Sequence, residues 1–192
     1  MSETIFALSS GAVPAGVAVV RVSGPGVRFG LETLIGFVPD ARYATMCAIR
    51  SSEGHILDRG LALFFPGPNS FTGEDVAELQ IHGSHASVQA VLDALGRLTG
   101  YRAAEAGEFT RQAFANGKMD LTEVEGLSDL LLAETEAQRR QALSQAGGSL
   151  RALYQDWATR LTHARAMIEA ELDFSDEDDI PGSVSRAIWS DM

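Results

Sequence analysis

Three polar side chains stand where a sheet or loop could put them to chemical use. In the run DVAELQIH, residues 75–82, strict alternation places Ala77, Leu79 and Ile81 on one face and Val76, Glu78, Gln80 and His82 on the other. The first face reads as core. The second is either the solvated side of a half-buried sheet or the wall of a pocket. In a pocket, the Glu78 carboxylate can accept two hydrogen bonds from a ligand edge that carries an amino group beside a ring N–H, as pterin and guanine rings do. Arg21 lies in the strand-like run 17–23 and shares a face with Val17, Val19 and Ser23. A guanidinium among apolar neighbours needs a partner to offset its desolvation, which a structural ion pair or a ligand can supply. Lys118, in NGKMDL, occupies a glycine-containing loop just before a helical region, and Asp120 is placed to cap the first helix of that region. A loop lysine is a solvated charge or, facing a cleft, a hold for a carboxylate such as a glutamate tail.

Other chemistries find little support. Gly117-Lys118 is not a phosphate-binding loop, because Met119 stands where Ser or Thr is required and Gln112 where the leading Gly belongs. His82 and His85 straddle a strand-to-helix change, which argues against a zinc site, and no hydrolase constellation is visible. The lone Cys47, between Met46 and Ala48, reads as a core residue and allows no internal disulfide. With no basic leader segment and no apolar run of the roughly 20 residues that cross a bilayer, the expectation is a cytoplasmic protein without membrane contact. The net charge is −11, and it is uneven. Residues 1–118 hold nine basic against eleven acidic side chains, and residues 119–192 hold six against fifteen. An acidic second part is a poor nonspecific platform for nucleic acid, which needs clustered Lys and Arg. Fourteen of the basic residues are Arg, so Lys118 is the only lysine in the chain.

The elements that must position these side chains fall into two blocks. Strands are expected over 4–8, 17–23, 44–50, 61–65 and 75–82, each rich in β-branched, aromatic or small apolar residues and bounded by Gly, Pro or Ser. Helices are expected over 26–36, 86–98 and 108–115, the middle one carrying Val88, Val91, Leu92, Leu95 and Leu98 at helical spacing. Gly54 lies in a short polar turn that suits a hairpin. Hairpins mixed with crossovers predict an α+β domain, a mixed β-sheet with helices on one side. From Leu121 the pattern becomes purely helical. One stripe runs through Leu121, Val124, Leu127, Leu130 and Leu131, and a second through Leu150, Leu153, Trp157, Leu161, Ala164, Ile168 and Leu172, with Gly147-Gly148 between them. Such a stripe needs a partner face, from its own neighbours or another chain. An acidic run over 173–179 and Pro181-Gly182 are expected to end the last helix, and 183–192 to begin another that stops short, as in a fragment of a longer protein.

Four stretches resemble, in order, the MnmE (TrmE) family of tRNA-modification GTPases. They are GVAVVRVSGPG at 16–26, FPGPNSFTGEDVAELQIHG at 65–83, AGEFTRQAFANGKMDLTEVEGLSDLLLAET at 106–135 and, more weakly, IEAELDFSDEDDI at 168–180. Ser84-His85 departs from the pattern, which often continues with a second Gly. The resemblance implies a folate-binding and dimerisation domain over 1–118, similar to that of aminomethyltransferases, and part of a helical domain over 119–192. In the family, a Ras-like GTPase domain that uses GTP, magnesium and potassium is inserted in the helical domain, and its segments have no counterpart here. The chain alone is therefore expected not to hydrolyse GTP. The resemblance further implies a homodimer and a flavoprotein partner, MnmG (GidA). It implies tRNA as substrate of the complex, modified at carbon 5 of the wobble uridine with an aminomethyl or carboxymethylaminomethyl group. The one-carbon donor is a tetrahydrofolate derivative, in its 5-formyl or 5,10-methylene form, and by motif position its contacts fall on Arg21, Glu78 and Lys118. Two alternatives stand beside this: a stand-alone folate-dependent protein of the aminomethyltransferase type, and a module that only pairs subunits. No catalytic acid or base is legible.

Overall fold

The computed structural model describes residues 3–173, with side chains through 170. It divides into two compact units at Met119 and Asp120. In the first unit, six strands form one sheet: β1 (Thr4–Leu8), β2 (Ala15–Ser23), β3 (Thr45–Arg50), β4 (Ile56–Phe65), β5 (Val76–Gly83) and β6 (Tyr101–Ala103). Their spatial order is β3-β4-β5-β2-β1-β6. All neighbours are antiparallel except β1 and β6, which run parallel, so the sheet is mixed as expected. β3 and β4 form the hairpin anticipated around Gly54. The short β6 was not foreseen, since three residues carry too little periodicity to stand out. It is recruited by backbone pairing to β1, Thr4 N–H donating to Gly100 O at 2.9 Å and Ala104 N–H to Phe6 O at 2.9 Å.

The register sets what each face carries. Phe6, Val22, Ala77 and Phe64 lie opposite one another in one cross-strand row, and Val20, Leu79 and Ala62 in the next. These rows meet α1 (Val27–Ile35) and α2 (His85–Gly96), whose Val27, Leu31, Leu34, Val88, Val91 and Leu95 join the same buried cluster. Complete burial of a side chain the size of Leu79 or Leu95 contributes about 1.5–3 kcal/mol relative to exposure, so this face supplies most of the unit's cohesion. Ser84, where the sequence departs from the family pattern, has a defined local task. Its side chain accepts from Ser87 N–H and caps α2.

The opposite face carries the row Leu63, Glu78, Arg21 and Ala7, and next to it Met46, Leu61, Gln80 and Val19. α3 (Glu108–Ala115) brings Phe109 and Gln112 to this second face. Cys47 is half-buried against the core, and burial pushes its thiol pKa up, which suits a packing role.

The second unit is helical. α4 (Leu121–Leu132) starts at a capping box in which the Asp120 side chain accepts from Glu123 N–H and the Glu123 side chain accepts from Asp120 N–H. α5 (Glu136–Ala146) starts at a second box built from Thr135 and Gln138, a break that the leucine stripe did not announce. α4 and α5 approach closely at Gly126, where a Cβ would stand 2.5 Å from Ala146 N. α6 (Ser149–Asp173) follows Gly147-Gly148. Along it Ala164 is buried, while Leu153, Trp157, Leu161 and Ile168 stay 42–58% exposed. The expected acidic helix end beyond Asp173, the Pro181-Gly182 break and the helix over 183–192 lie outside the described residues.

Candidate functional site

Arg21 and Glu78 are partners. β2 and β5 pair so that Arg21 lies directly opposite Glu78, and Arg21 donates to Glu78 Oε1 from Nη2 at 2.7 Å and from Nε at 3.1 Å. The side chains keep 26% and 19% of their surface, so the pair is screened from bulk water yet open on one side. Both bonds fall on Oε1. Glu78 Oε2 takes no hydrogen bond among the described residues, so one carboxylate oxygen remains available to an external donor.

Two aromatic rings complete the surroundings. The Arg21 guanidinium lies 5.3 Å from the Phe71 ring centre and 5.7 Å from that of Phe109, within cation–π range of both. Phe71 comes from the loop between β4 and β5, and Phe109 from the first turn of α3. Each ring stays at least partly exposed.

A closed ring of hydrogen bonds fixes that loop to the sheet and to α3. Ser23 Oγ donates to Gln112 Oε1 at 2.8 Å, which leaves Thr72 Oγ1 as the donor to Ser23 Oγ at 2.7 Å. Thr72 Oγ1 accepts from Glu74 N–H at 3.3 Å, and Gln112 Nε2 donates back to the Glu74 carboxylate at 3.4 Å. Ser23 and Thr72 are fully buried, so each hydroxyl depends on its protein partners. Asp75, at one end of the loop, accepts from Gly67 N–H at the other end at 2.9 Å, and also from Arg28 Nε of α1 at 2.9 Å.

Lys118 follows α3, with its N–H bonded to Ala113 O at 2.8 Å. Its side chain is exposed, and its ammonium makes no hydrogen bond or ion pair among the described residues. It does not touch the Arg21–Glu78 pair directly. The connection runs through the loop: Phe71 lies against Arg21, and two residues on, Gly73 lies against the Lys118 stem.

Phe71, Thr72, Phe109, Gln112 and Asn116 were not singled out from sequence. All five lie inside the stretches that carry the family resemblance, but their types signal no chemistry until the fold brings loop and helix to Arg21. The fourth member of the polar strand face, His82, is occupied at the sheet end. His82 Nδ1 lies 2.8 Å from Asp58 Oδ1, and its N–H donates to Asp58 Oδ2 at 2.7 Å. Burial raises the Asp58 pKa, and the His82 side-chain and backbone bonds outweigh that to leave it below the usual carboxylate value. Elsewhere, an open groove of about 820 Å³ between α2, β1 and β6 is lined by Phe6, Leu8, Leu92, Arg97 and Tyr101 among others, and by none of the three candidate residues.

An α+β domain with a polar and aromatic site on one sheet face, followed by an all-α region, is the class this chain presents. Residues 4–118 match the family described as "GTP-binding protein TrmE N-terminus", and residues 121–192 match "MnmE helical domain". The chain belongs to the MnmE (TrmE) family. It is 64% identical over 191 residues to a tRNA modification GTPase MnmE of Sinorhizobium medicae (strain WSM419), covering 100% of this chain and 43% of that protein. It is 62% identical over 192 residues to the protein of the same name in Brucella anthropi, again 100% of this chain and 43% of the other. For that of Rhizobium meliloti (strain 1021), identity is 61% over 191 residues, covering 100% and 44%. The chain thus spans less than half the length of these relatives. No described helix is long and apolar enough to cross a membrane.

Proposed function

We propose that residues 1–118 bind a tetrahydrofolate derivative, with Glu78 holding the pterin edge, Arg21 orienting Glu78 and Lys118 holding a carboxylate of the glutamate tail. The observation that carries this reading is the half-buried Arg21–Glu78 pair, in which one Glu78 oxygen takes no hydrogen bond among the described residues and the Arg21 guanidinium lies beside Phe71 and Phe109. A flat heteroaromatic ring suits that setting, since the open oxygen accepts its N–H groups while phenyl rings contact its face or edge. Lys118, exposed and without a hydrogen bond or ion pair among the described residues, suits the anionic end of the same molecule.

The wider role is proposed from the resemblance to the family. The chain is read as the folate-binding and pairing region of a tRNA-modification GTPase. With a flavoprotein partner of the MnmG (GidA) type, that GTPase adds an aminomethyl or carboxymethylaminomethyl group to carbon 5 of the tRNA wobble uridine in the cytoplasm. Folate supplies the one-carbon unit. Homodimer formation through the first unit is supported by the apolar side chains on the second sheet face, where Val17 and Met46 stand more than half exposed beside the half-buried Val19, Leu61 and Leu63.

Calorimetric titration with 5-formyltetrahydrofolate, together with sedimentation equilibrium, tests both parts. Saturable binding by a dimer is expected. A dimer that takes up no folate would leave the pairing role alone, and GTP turnover by residues 1–192 would contradict the expectation that they do not hydrolyse GTP.

A further inference from the structure

The loop between β4 and β5 touches both ends of the proposed site, and Gly73 is where it meets Lys118. Gly73 has a φ of 82°, the left-handed region that side-chain-bearing residues rarely adopt. A Cβ built there would stand 3.1 Å from Asn116 Cβ, 3.1 Å from Lys118 Cγ and 3.3 Å from Lys118 Cδ. The absence of a side chain therefore lets the aliphatic stem of Lys118 lie against the loop backbone. Asn116 holds the loop from the other side, its Nδ2 donating to Thr72 O at 2.8 Å. Thr72 is in turn bonded to Ser23, which itself donates to Gln112 and so joins β2 to α3. One rigid connection thus runs from the strand bearing Arg21 to the stem of the chain's only lysine.

We propose that Gly73 is a positioning residue for Lys118, setting the ammonium at a fixed reach from Glu78 and thereby selecting ligands whose anionic tail lies at that distance from the ring. This rests on the folate reading and adds to it a basis for distinguishing a complete folate from a bare pterin. A lysine stem free in solvent samples many rotamers, and ordering it on binding costs conformational entropy. Contact with Gly73 removes part of that cost before the ligand arrives.

The test compares two ligands, 5-formyltetrahydrofolate and the tail-less 6-methyltetrahydropterin, titrated into the whole chain. Gly73→Ala and Lys118→Ala are each expected to weaken the folate about tenfold and to leave the pterin within about twofold. In the Lys118→Ala background, Gly73→Ala should add no further loss for the folate. Gly73→Asn, which tolerates the left-handed backbone better, carries the same added Cβ should the alanine variant fail to fold. Selective ¹³C-lysine labelling reports Lys118 alone, and an NOE from its γ protons to Gly73 Hα is expected without ligand. Equal weakening of both ligands, additive losses in the double variant, or no such NOE would overturn the proposal. A wild-type chain that binds neither ligand would remove the folate reading, and this inference with it, whereas a wild-type chain that binds both and a variant that fails to separate them would remove this inference alone.

Discussion

Arg21 Nη2 stands 2.7 Å from Glu78 Oε1 across two antiparallel strands, so each supplies the partner that the other's partial burial demands. The ion pair and the proposed ligand site are therefore compatible explanations of these residues. An arginine that occupies one carboxylate oxygen fixes the direction in which the other one faces. Replacing Arg21 and Glu78 singly and together by Gln should give a coupling free energy of about 1–2 kcal/mol in denaturant unfolding, the range for a charge-assisted bond that is only partly solvated. Additivity within about 0.5 kcal/mol would mean the pair is held by the sheet and contributes little to it.

Thr72→Val keeps the shape of a buried side chain and removes one hydroxyl. Ser23 then loses its donor, and Glu74 N–H loses its acceptor. Stranding buried polar groups costs about 1–3 kcal/mol. The expected result is a lower urea midpoint with an unchanged m-value, because the loss is local and the surface exposed on unfolding stays the same.

The strands and helices that build the core were largely legible because their apolar residues recur at period 2 or 3.6, as in Ala77, Leu79 and Ile81 or Val88, Val91 and Leu95. The role of β6 was not, since Tyr101–Ala103 owes its strand state to pairing with β1 and not to its own pattern. The same limit applies to the site. Alternation within β5 puts Glu78 on the polar face, and alternation within β2 gives Arg21 its odd place among valines. Their pairing depends on β2 and β5 being neighbours, which no local pattern specifies. Phe71 and Phe109 stayed invisible for the same reason: they are 38 residues apart and meet only at Arg21.

Acid stability should carry the signature of Glu108. Its carboxylate accepts from Arg102 at 2.7 and 2.8 Å and from Glu105 N–H at 2.8 Å. The Arg102 bonds, above all, bring its pKa down from 4.5 to about 2 against the opposing effect of burial. A carboxylate whose folded pKa is depressed stabilises the protein above its unfolded value, and that stability is lost as pH falls through the folded one. Wild-type stability should therefore drop between about pH 4.5 and about pH 2 more steeply than that of Glu108→Gln. Parallel pH profiles for the two proteins would show that the Arg102 contacts do not persist in solution.

The helical unit offers two independent probes. Asp120→Ala removes the acceptor for Glu123 N–H and should cost about 1 kcal/mol of that unit's stability. Gly126→Ala drives a methyl group into the backbone at Ala146, a clash that only separation of α4 and α5 relieves, at about 1–3 kcal/mol. Thermal unfolding followed by circular dichroism reads both. A neutral Gly126→Ala would mean that the two helices do not cross as closely as described.

The proposed function turns on Glu78 holding the ring of a folate. Its most direct test is calorimetric titration of 5-formyltetrahydrofolate into the wild-type chain and into Glu78→Ala, with circular dichroism confirming that both are folded. Saturable wild-type binding, weakened by about 1–3 kcal/mol in the variant, is the predicted result. Equal affinities for the two proteins would remove Glu78 from the site and contradict the account.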